Sequence, residues 1–155
     1  MSVPAGGYKK PVSVLVLIHT PQLDVLLLER AAHPGFWQSV TGSQDDDEDL
    51  RRTAQREVQE ETGIEAAASD LVEWNIQNRF EIFHEWRHRY PPGVTHNLEH
   101  VYNLAVPRDT RIVVAPREHL TSIWLPWREA AAKVFSWSNR DAILMLPRRF
   151  NSNSD

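Results

Sequence analysis

Gly42-Ser-Gln-Asp-Asp-Asp-Glu48-Asp-Leu-Arg-Arg-Thr-Ala-Gln-Arg56-Glu57-Val-Gln-Glu60-Glu61-Thr-Gly63-Ile64 is the stretch from which the rest of the chain can be read. Leu50, Ala54, Val58 and Thr62 recur every four residues, an apolar stripe that predicts a helix over 49–62. The acids of Asp45-Asp-Asp-Glu-Asp49 stand ahead of it, where negative charge favours the macrodipole, and Gly63 is the expected stop. Glu57, Glu60 and Glu61 lie three and four residues apart, so their carboxylates share a face within about one turn. Arg56 is placed to pair with Glu60. Three carboxylates this close repel one another and need a compensating charge. A solvated charged face is the bland explanation. A hard divalent cation is the sharper one, and Mg²⁺ in particular binds through few carboxylates plus substrate phosphates. Mn²⁺ is the expected substitute.

The flanking residues predict how this helix is embedded. Val/Ile/Leu-rich residues 12–18 read as a buried strand, and 25–29 as its hairpin partner across Thr20-Pro-Gln-Leu-Asp24. Residues 36–40 read as a third short strand ended by Thr41-Gly42. Residues 71–79, 80–90, 100–106 and 122–125 are strand-like, and helices are expected over 127–134 and 139–146. Strands mixed with a few helices predict an α/β sandwich with a mixed sheet. One domain over 1–150 is expected, with 1–10 a loose lead-in and 151–155 a frayed tail.

The bulk numbers exclude several classes. A chain of 155 residues with 41% hydrophobic and 25% charged residues is an ordinary globular composition. A net charge of −4 argues against a nucleic-acid binder, which needs a basic face. The absence of cysteine removes disulfides, thiolate nucleophiles and cysteine zinc sites. No signal pattern opens the chain, and the apolar run at 11–18 is far short of the ~20 residues that cross a bilayer. A cytoplasmic protein with no membrane or protein partner is the expectation.

From Gly42 the spacing runs five residues to Glu48, seven to Arg56-Glu57-Val58, one to Glu60-Glu61 and one to Gly63-Ile64. This is the complete signature box of the Nudix hydrolases, and a chance match in a chain this long is below about one in a million. The chain therefore resembles that family. The resemblance implies an α/β/α sandwich, with the box as loop, helix and loop. It makes Glu57, Glu60 and Glu61 the metal-binding, catalytic set. Glu48 and Arg56 become the charged tie between loop and helix, and Gly42 and Gly63 the turns. Asp47 stands where many members carry glycine, which predicts a stiffer, more acidic loop. The implied chemistry is Mg²⁺-assisted attack of water on a phosphoanhydride, with a carboxylate taking the proton. That base lies in the box or on a later loop, where Glu118 in Pro116-Arg-Glu-His-Leu120 is the best candidate.

Other stretches resemble the bacterial branch of the family that hydrolyses dihydroneopterin triphosphate in folate synthesis. They are Tyr8-Lys-Lys-Pro-Val-Ser13, Phe36-Trp-Gln-Ser-Val-Thr-Gly-Ser43, Phe80-Glu-Ile-Phe83, Arg87-His-Arg-Tyr-Pro-Pro-Gly-Val-Thr95, Glu118-His-Leu120 and Ser136-Trp-Ser-Asn-Arg140. This resemblance implies Glu57, Glu61 and Glu118 as Mg²⁺ ligands. It sets Lys9, Arg30, Thr41, Phe80, Glu81, Ile82, Phe83 and Ser136 around a small triphosphate substrate. Lys9 and Arg30 suit phosphate contacts, and Phe80 and Phe83 suit stacking on a flat ring. Pyrophosphate and a pterin monophosphate would be the products. A dATP or other nucleoside triphosphate activity is the nearest alternative, and a Nudix fold that senses a ligand without cutting it is the next.

His84-Glu-Trp-Arg-His88 also matches the HExxH pattern of zinc proteases, which requires a helix. The alternation of Phe80, Ile82, His84, Trp86, His88 and Tyr90 with charged residues predicts a strand instead, holding the two histidines about 13 Å apart. Six tryptophans remain unassigned; Trp37 and Trp137 lie within the matching stretches.

Overall fold

The structure is a computed structural model that describes residues 7–153, so Met1–Gly6 of the expected lead-in and Ser154 and Asp155 of the expected tail lie outside it. β1 (Val12–His19) is the axis of a seven-stranded mixed sheet. Along one edge it pairs in parallel with β6 (His96–Ala105), from Val12↔Leu98 to His19↔Ala105. Its other edge is shared. β4 (Val40–Ser43) takes Ser13 to Val16, and β2 (Asp24–Arg30) meets it only at His19↔Val25. The predicted hairpin therefore opens at once, and β2 pairs instead with β3 (Trp37–Gln38) and β7 (His119–Pro126). β5 (Leu71–Glu81) lies antiparallel on the far edge of β6.

β1 is apolar on both faces because both are covered, as a strand with a parallel partner usually is. Val14, Val16 and Ile18 join Leu26, Leu28, Tyr102 and Leu104 beneath Ala54 and Val58 of α1 (Leu50–Thr62). Leu15 and Leu17 join Val25, Leu27, Trp74 and Val101 beneath α2 (Trp127–Lys133) and α3 (Trp137–Asn153). The result is the α/β/α sandwich. Among the described residues no helix is long and apolar enough to cross a membrane.

Four sequence expectations are corrected. Residues 36–40 form two strands, because the chain breaks at the buried Ser39. Its amide donates to Asn139 Oδ1 at 2.8 Å, and Asn139 Nδ2 donates to Ser39 Oγ at 3.0 Å. Residues 80–90 are not one strand, since β5 ends at Glu81 and His84–Arg89 is a 3₁₀ helix. β6 and β7 start earlier than predicted, at His96 and His119. The last helix begins at Trp137 and continues past Pro147 to Asn153, where the sequence suggested 139–146 and a frayed end. Two contacts hold its end down: the Phe150 ring meets His19 edge-on at 4.8 Å, and Arg149 Nη1 donates to Trp74 O at 3.1 Å.

Asn139→Ala leaves the Ser39 amide buried without an acceptor. It is expected to cost about 1–3 kcal/mol in urea unfolding, the usual penalty for such an orphaned donor. A change near zero would show that the break at Ser39 does not depend on Asn139.

Candidate active site

The loop leading into α1 is built around Glu48. Its carboxylate accepts from Arg56 Nε at 3.1 Å, Arg56 Nη2 at 3.0 Å and Thr53 Oγ1 at 2.7 Å. Arg56 and these other donors hold Glu48 down to a pKa of about 2. Asp49 caps the helix, its Oδ1 accepting from Arg51 N at 2.8 Å. Gly63 ends it at φ 77° with its amide on Gln59 O. Arg56 reaches five places: Glu48, Ser43 O at 3.0 Å, Glu57 at 2.8 Å, and Asp45 and Glu60 at 3.4 Å each. It therefore fastens loop to helix and aims Glu57.

The three box carboxylates do not end up together. At about 100° per residue, Glu57 and Glu61 differ by only about 40° around the axis, whereas Glu60 lies about 100° from Glu61. Glu60 is set apart on the outer side, its side chain 53% exposed and paired with Arg56. Glu57 is turned inward against β4, where a Cβ on Gly42 would fall 2.0 Å from its carboxyl carbon. Glu61 is 1% exposed, and neither of its oxygens has a hydrogen-bond partner among the described residues. Burial first, and then the neighbouring Glu57, pushes the Glu61 pKa well above the ordinary carboxylate value. Burial also raises that of Glu57, against the pull of Arg56.

The loop before β7 closes the site. Glu61, Glu118 and His119 each offer a ligand atom, all within 4.8 Å of one another. Glu118 is exposed and held by its backbone, its amide donating to Ala115 O at 3.0 Å and its carbonyl accepting from Ala31 N at 2.9 Å. His119 is buried, with Nε2 3.5 Å from Glu61 Oε1. Burial, helped by Arg30, depresses its pKa to about 4, so this contact is with a neutral imidazole and is not an ion pair. Sequence reasoning quoted His119 without assigning it a role, although its place beside Glu118 was a usable signal.

Lys9 and Arg30 face these carboxylates, with Arg89 beside them. Lys9 has its pKa lowered by burial and by Arg89, with Glu57, Arg30 and Glu118 also in range. Arg30 is lowered by burial and by Arg89 as well. It donates to Gln38 Oε1 at 3.0 Å and lies over the Trp86 ring at 4.7 Å from the centroid. Arg89 was not singled out from the sequence, because it lies in the segment misread as a strand. Lys9 and Arg30, each opposed by the other cations, call for an anion beside them.

The remaining predicted residues border the same end of the sheet. Phe83 is 43% exposed within an aromatic group that includes Trp86 at 4.9 Å and Phe135 at 6.1 Å. Phe80 is half-buried on β5, Glu81 is exposed and paired with Arg87, and Ile82 is buried. Thr41 Oγ1 donates to Val14 O at 2.9 Å. Ser136 Oγ accepts from Asn139 N at 3.2 Å, closing the first turn of α3. Of the two tryptophans in the matching stretches, Trp37 lies beneath Lys133 and Trp137 is exposed. His84 and His88 sit on the 3₁₀ helix rather than a strand. At about three residues per turn, i and i+4 point in different directions, so the pair still makes no chelate.

Oxygen donors, a neutral imidazole and an uncompensated buried carboxylate fit a hard divalent cation. The chain belongs to the NUDIX domain family, whose profile matches residues 9–146, and it is a hydrolase acting on phosphoanhydride bonds of small diphosphate-bearing molecules. It is 48% identical over 139 residues to the dihydroneopterin triphosphate diphosphatase of Escherichia coli K12, covering 88% of this chain and 91% of that protein. The enzyme of the same name from Haemophilus influenzae is 37% identical, over 88% of this chain and 87% of its own length. The solved E. coli dihydroneopterin triphosphate pyrophosphohydrolase superposes with a TM-score of 0.81 at 47% identity, covering 88% of this chain and 94% of that one.

Proposed function

We propose that this chain hydrolyses dihydroneopterin triphosphate to dihydroneopterin monophosphate and pyrophosphate, using Mg²⁺ or Mn²⁺, in the cytoplasm. The observation that carries the reading is Glu61, a wholly buried carboxylate with no donor on either oxygen among the described residues, standing beside Glu57, Glu118 and His119. Relatives that carry this name and match most of the chain supply the substrate.

Glu57, Glu61 and Glu118 would hold the cation, with Glu60 adding negative charge from the rim through its place beside Arg56. When bound, the cation neutralises phosphate charge and acidifies water. Lys9, Arg30 and Arg89 bind the triphosphate and release their mutual repulsion on it. Of Glu57, Glu61 and Glu118, Glu118 is the one open to solvent, and it takes the proton of the attacking water. The water oxygen bonds to phosphorus as the bridging P–O bond breaks, and the electron pair leaves with pyrophosphate. Phe80 and Phe83 flank the ring, while Thr41, Glu81, Ile82 and Ser136 shape its surroundings.

The pure protein with Mg²⁺ is offered dihydroneopterin triphosphate and dATP, and products are separated by ion exchange. Pyrophosphate with dihydroneopterin monophosphate is expected, with the pterin substrate turned over at the higher kcat/KM. A higher value for dATP would replace the pterin reading with a nucleotide one. Tight binding without turnover would make the chain a sensor.

A further inference from the structure

One buried carboxylate is left unused by this chemistry. Glu99 of β6 is 5% exposed, and the polar side chains of Ser138 and Asn78 stand beside its carboxyl. Its Oε1 has no partner among the described residues. Two positions earlier, the equally buried Asn97 donates Nδ2 to Ser13 Oγ at 2.7 Å, and its Oδ1 also lacks a partner. Two acceptors on one strand thus stand buried and unfilled, a costly arrangement that native proteins seldom keep without a use.

The strand register says where they are. Ser43, Ser13, Glu99 and Asn78 form one row across β4, β1, β6 and β5, and Asn97 pairs with Phe80 in the adjacent row. Side chains alternate between faces, and Ser13 has the parity of Leu15 and Leu17, so the row faces α2 and α3. Ser138, in the first turn of α3, covers it two residues from Ser136. The row starts at Ser43, next to Gly42, whose Cβ direction meets Glu57 on the opposite, α1 face. Glu99 is two strand spacings from Ser43, about 10 Å across the sheet, on the face it shares with Phe80 and Ser138. A ligand that reaches both groups passes around the end of the strands, its phosphates on the α1 side and its ring on the α3 side.

Unfilled acceptors require donors. The 2-amino-4-oxo ring of a pterin displays its amino group and N3–H side by side, a pair that a carboxylate accepts together. Adenine instead sets the N6 donor beside the N1 acceptor, whose lone pair opposes an ionised carboxylate. We infer that Glu99, seconded by Asn97, reads the pterin edge and is the specificity-determining residue that selects a 2-amino-4-oxo ring over adenine. This rests on the pterin reading above.

Burial pushes the Glu99 pKa up to about 7, against the pull of Ser138 and Asn78. The side chains facing it are Ser13 of β1, Asn78 of β5 and Ser138 of α3, none of which titrates. Below neutrality the protonated carboxyl has an O–H to give to adenine N1 while still accepting from N6. Preference for the pterin therefore rises with pH.

Glu99→Gln is nearly isosteric and tests this in the full chain with Mg²⁺. Binding of neopterin monophosphate and of dAMP is read by fluorescence from pH 6 to 8, with kcat/KM for the two triphosphates alongside. The variant is expected to weaken the pterin ligand at least about tenfold more than dAMP, the range of one lost charged hydrogen bond. It is also expected to flatten the pH dependence of the preference. Glu99→Asp, which keeps the charge, should retain that dependence, and it decides the matter if the glutamine variant does not fold. Equal losses for both ligands, or an unchanged preference, would overturn the assignment. Absence of pterin turnover by the unaltered chain would sink the proposed function alone, because the binding comparison needs no catalysis.

Discussion

Glu61→Gln is expected to lower kcat by about 10³-fold or more while making the metal-free protein more stable. The loss follows if, as proposed, Glu61 ligates a cation worth several kcal/mol to the transition state. The gain follows from the present state of the side chain, which is buried, without donors among the described residues, and pressed against Glu57. Its folded pKa is raised, so the proton is kept in the fold at a pH where the unfolded chain has lost it. The stability this contributes is fully present below the ordinary value near 4.5 and is lost as pH rises through the elevated folded one. Without metal, the unaltered chain should therefore melt at progressively lower temperature from pH 5 to pH 8, and the glutamine variant should flatten that slope. Added Mg²⁺ should restore the unaltered chain most at the alkaline end, because the cation takes the place of the proton. Thermal melts at several pH values, with and without Mg²⁺, check all three points. A variant that loses stability without metal would mean that Glu61 is held by something other than a cation.

Gly42→Ala is expected to cost about 10²-fold in kcat/KM, the order lost when a reacting group is moved by about 1 Å. A Cβ at this position lands 2.0 Å from the Glu57 carboxyl carbon, so the carboxylate must leave its place. Because the obstacle is the end of a side chain, the fold yields at the cost of an overpacked contact, roughly 1–3 kcal/mol. The double variant separates the two effects. In a Glu57→Ala background the clash has gone, and Gly42→Ala should add almost nothing to either loss. Additive losses in the double variant would show that glycine serves the loop backbone and not the carboxylate. Kinetics and urea unfolding on the four proteins complete the cycle.

Much of this site was legible beforehand because it is local. Helical period predicted α1 to within a residue of its observed ends, and box spacing identified Gly42, Glu48, Arg56 and Gly63 at places the structure ties together. Residues 12–18 were legible as a buried strand because an unbroken apolar run fits a strand covered on both faces. Segment 80–90 misled for the same kind of reason. Its alternation is real, but Phe83 and Trp86 pack into an aromatic group with Phe135 from before α3, and the chain turns to reach it. The split at Ser39 depended on Asn139, one hundred residues away.

From the order of residues alone came the family, the phosphate chemistry and the helix that bears its carboxylates, since period and spacing state which side chains share one element. Tertiary structure alone decided that Glu61 faces Glu118 and His119 while Glu60 turns outward. It also brought Arg89 to Lys9 and Arg30, and left Glu99 covered, with one oxygen that has no partner among the described residues. The reason is physical: repulsion, desolvation and unfilled hydrogen bonds arise between elements, and those distances exist only once the layers have packed.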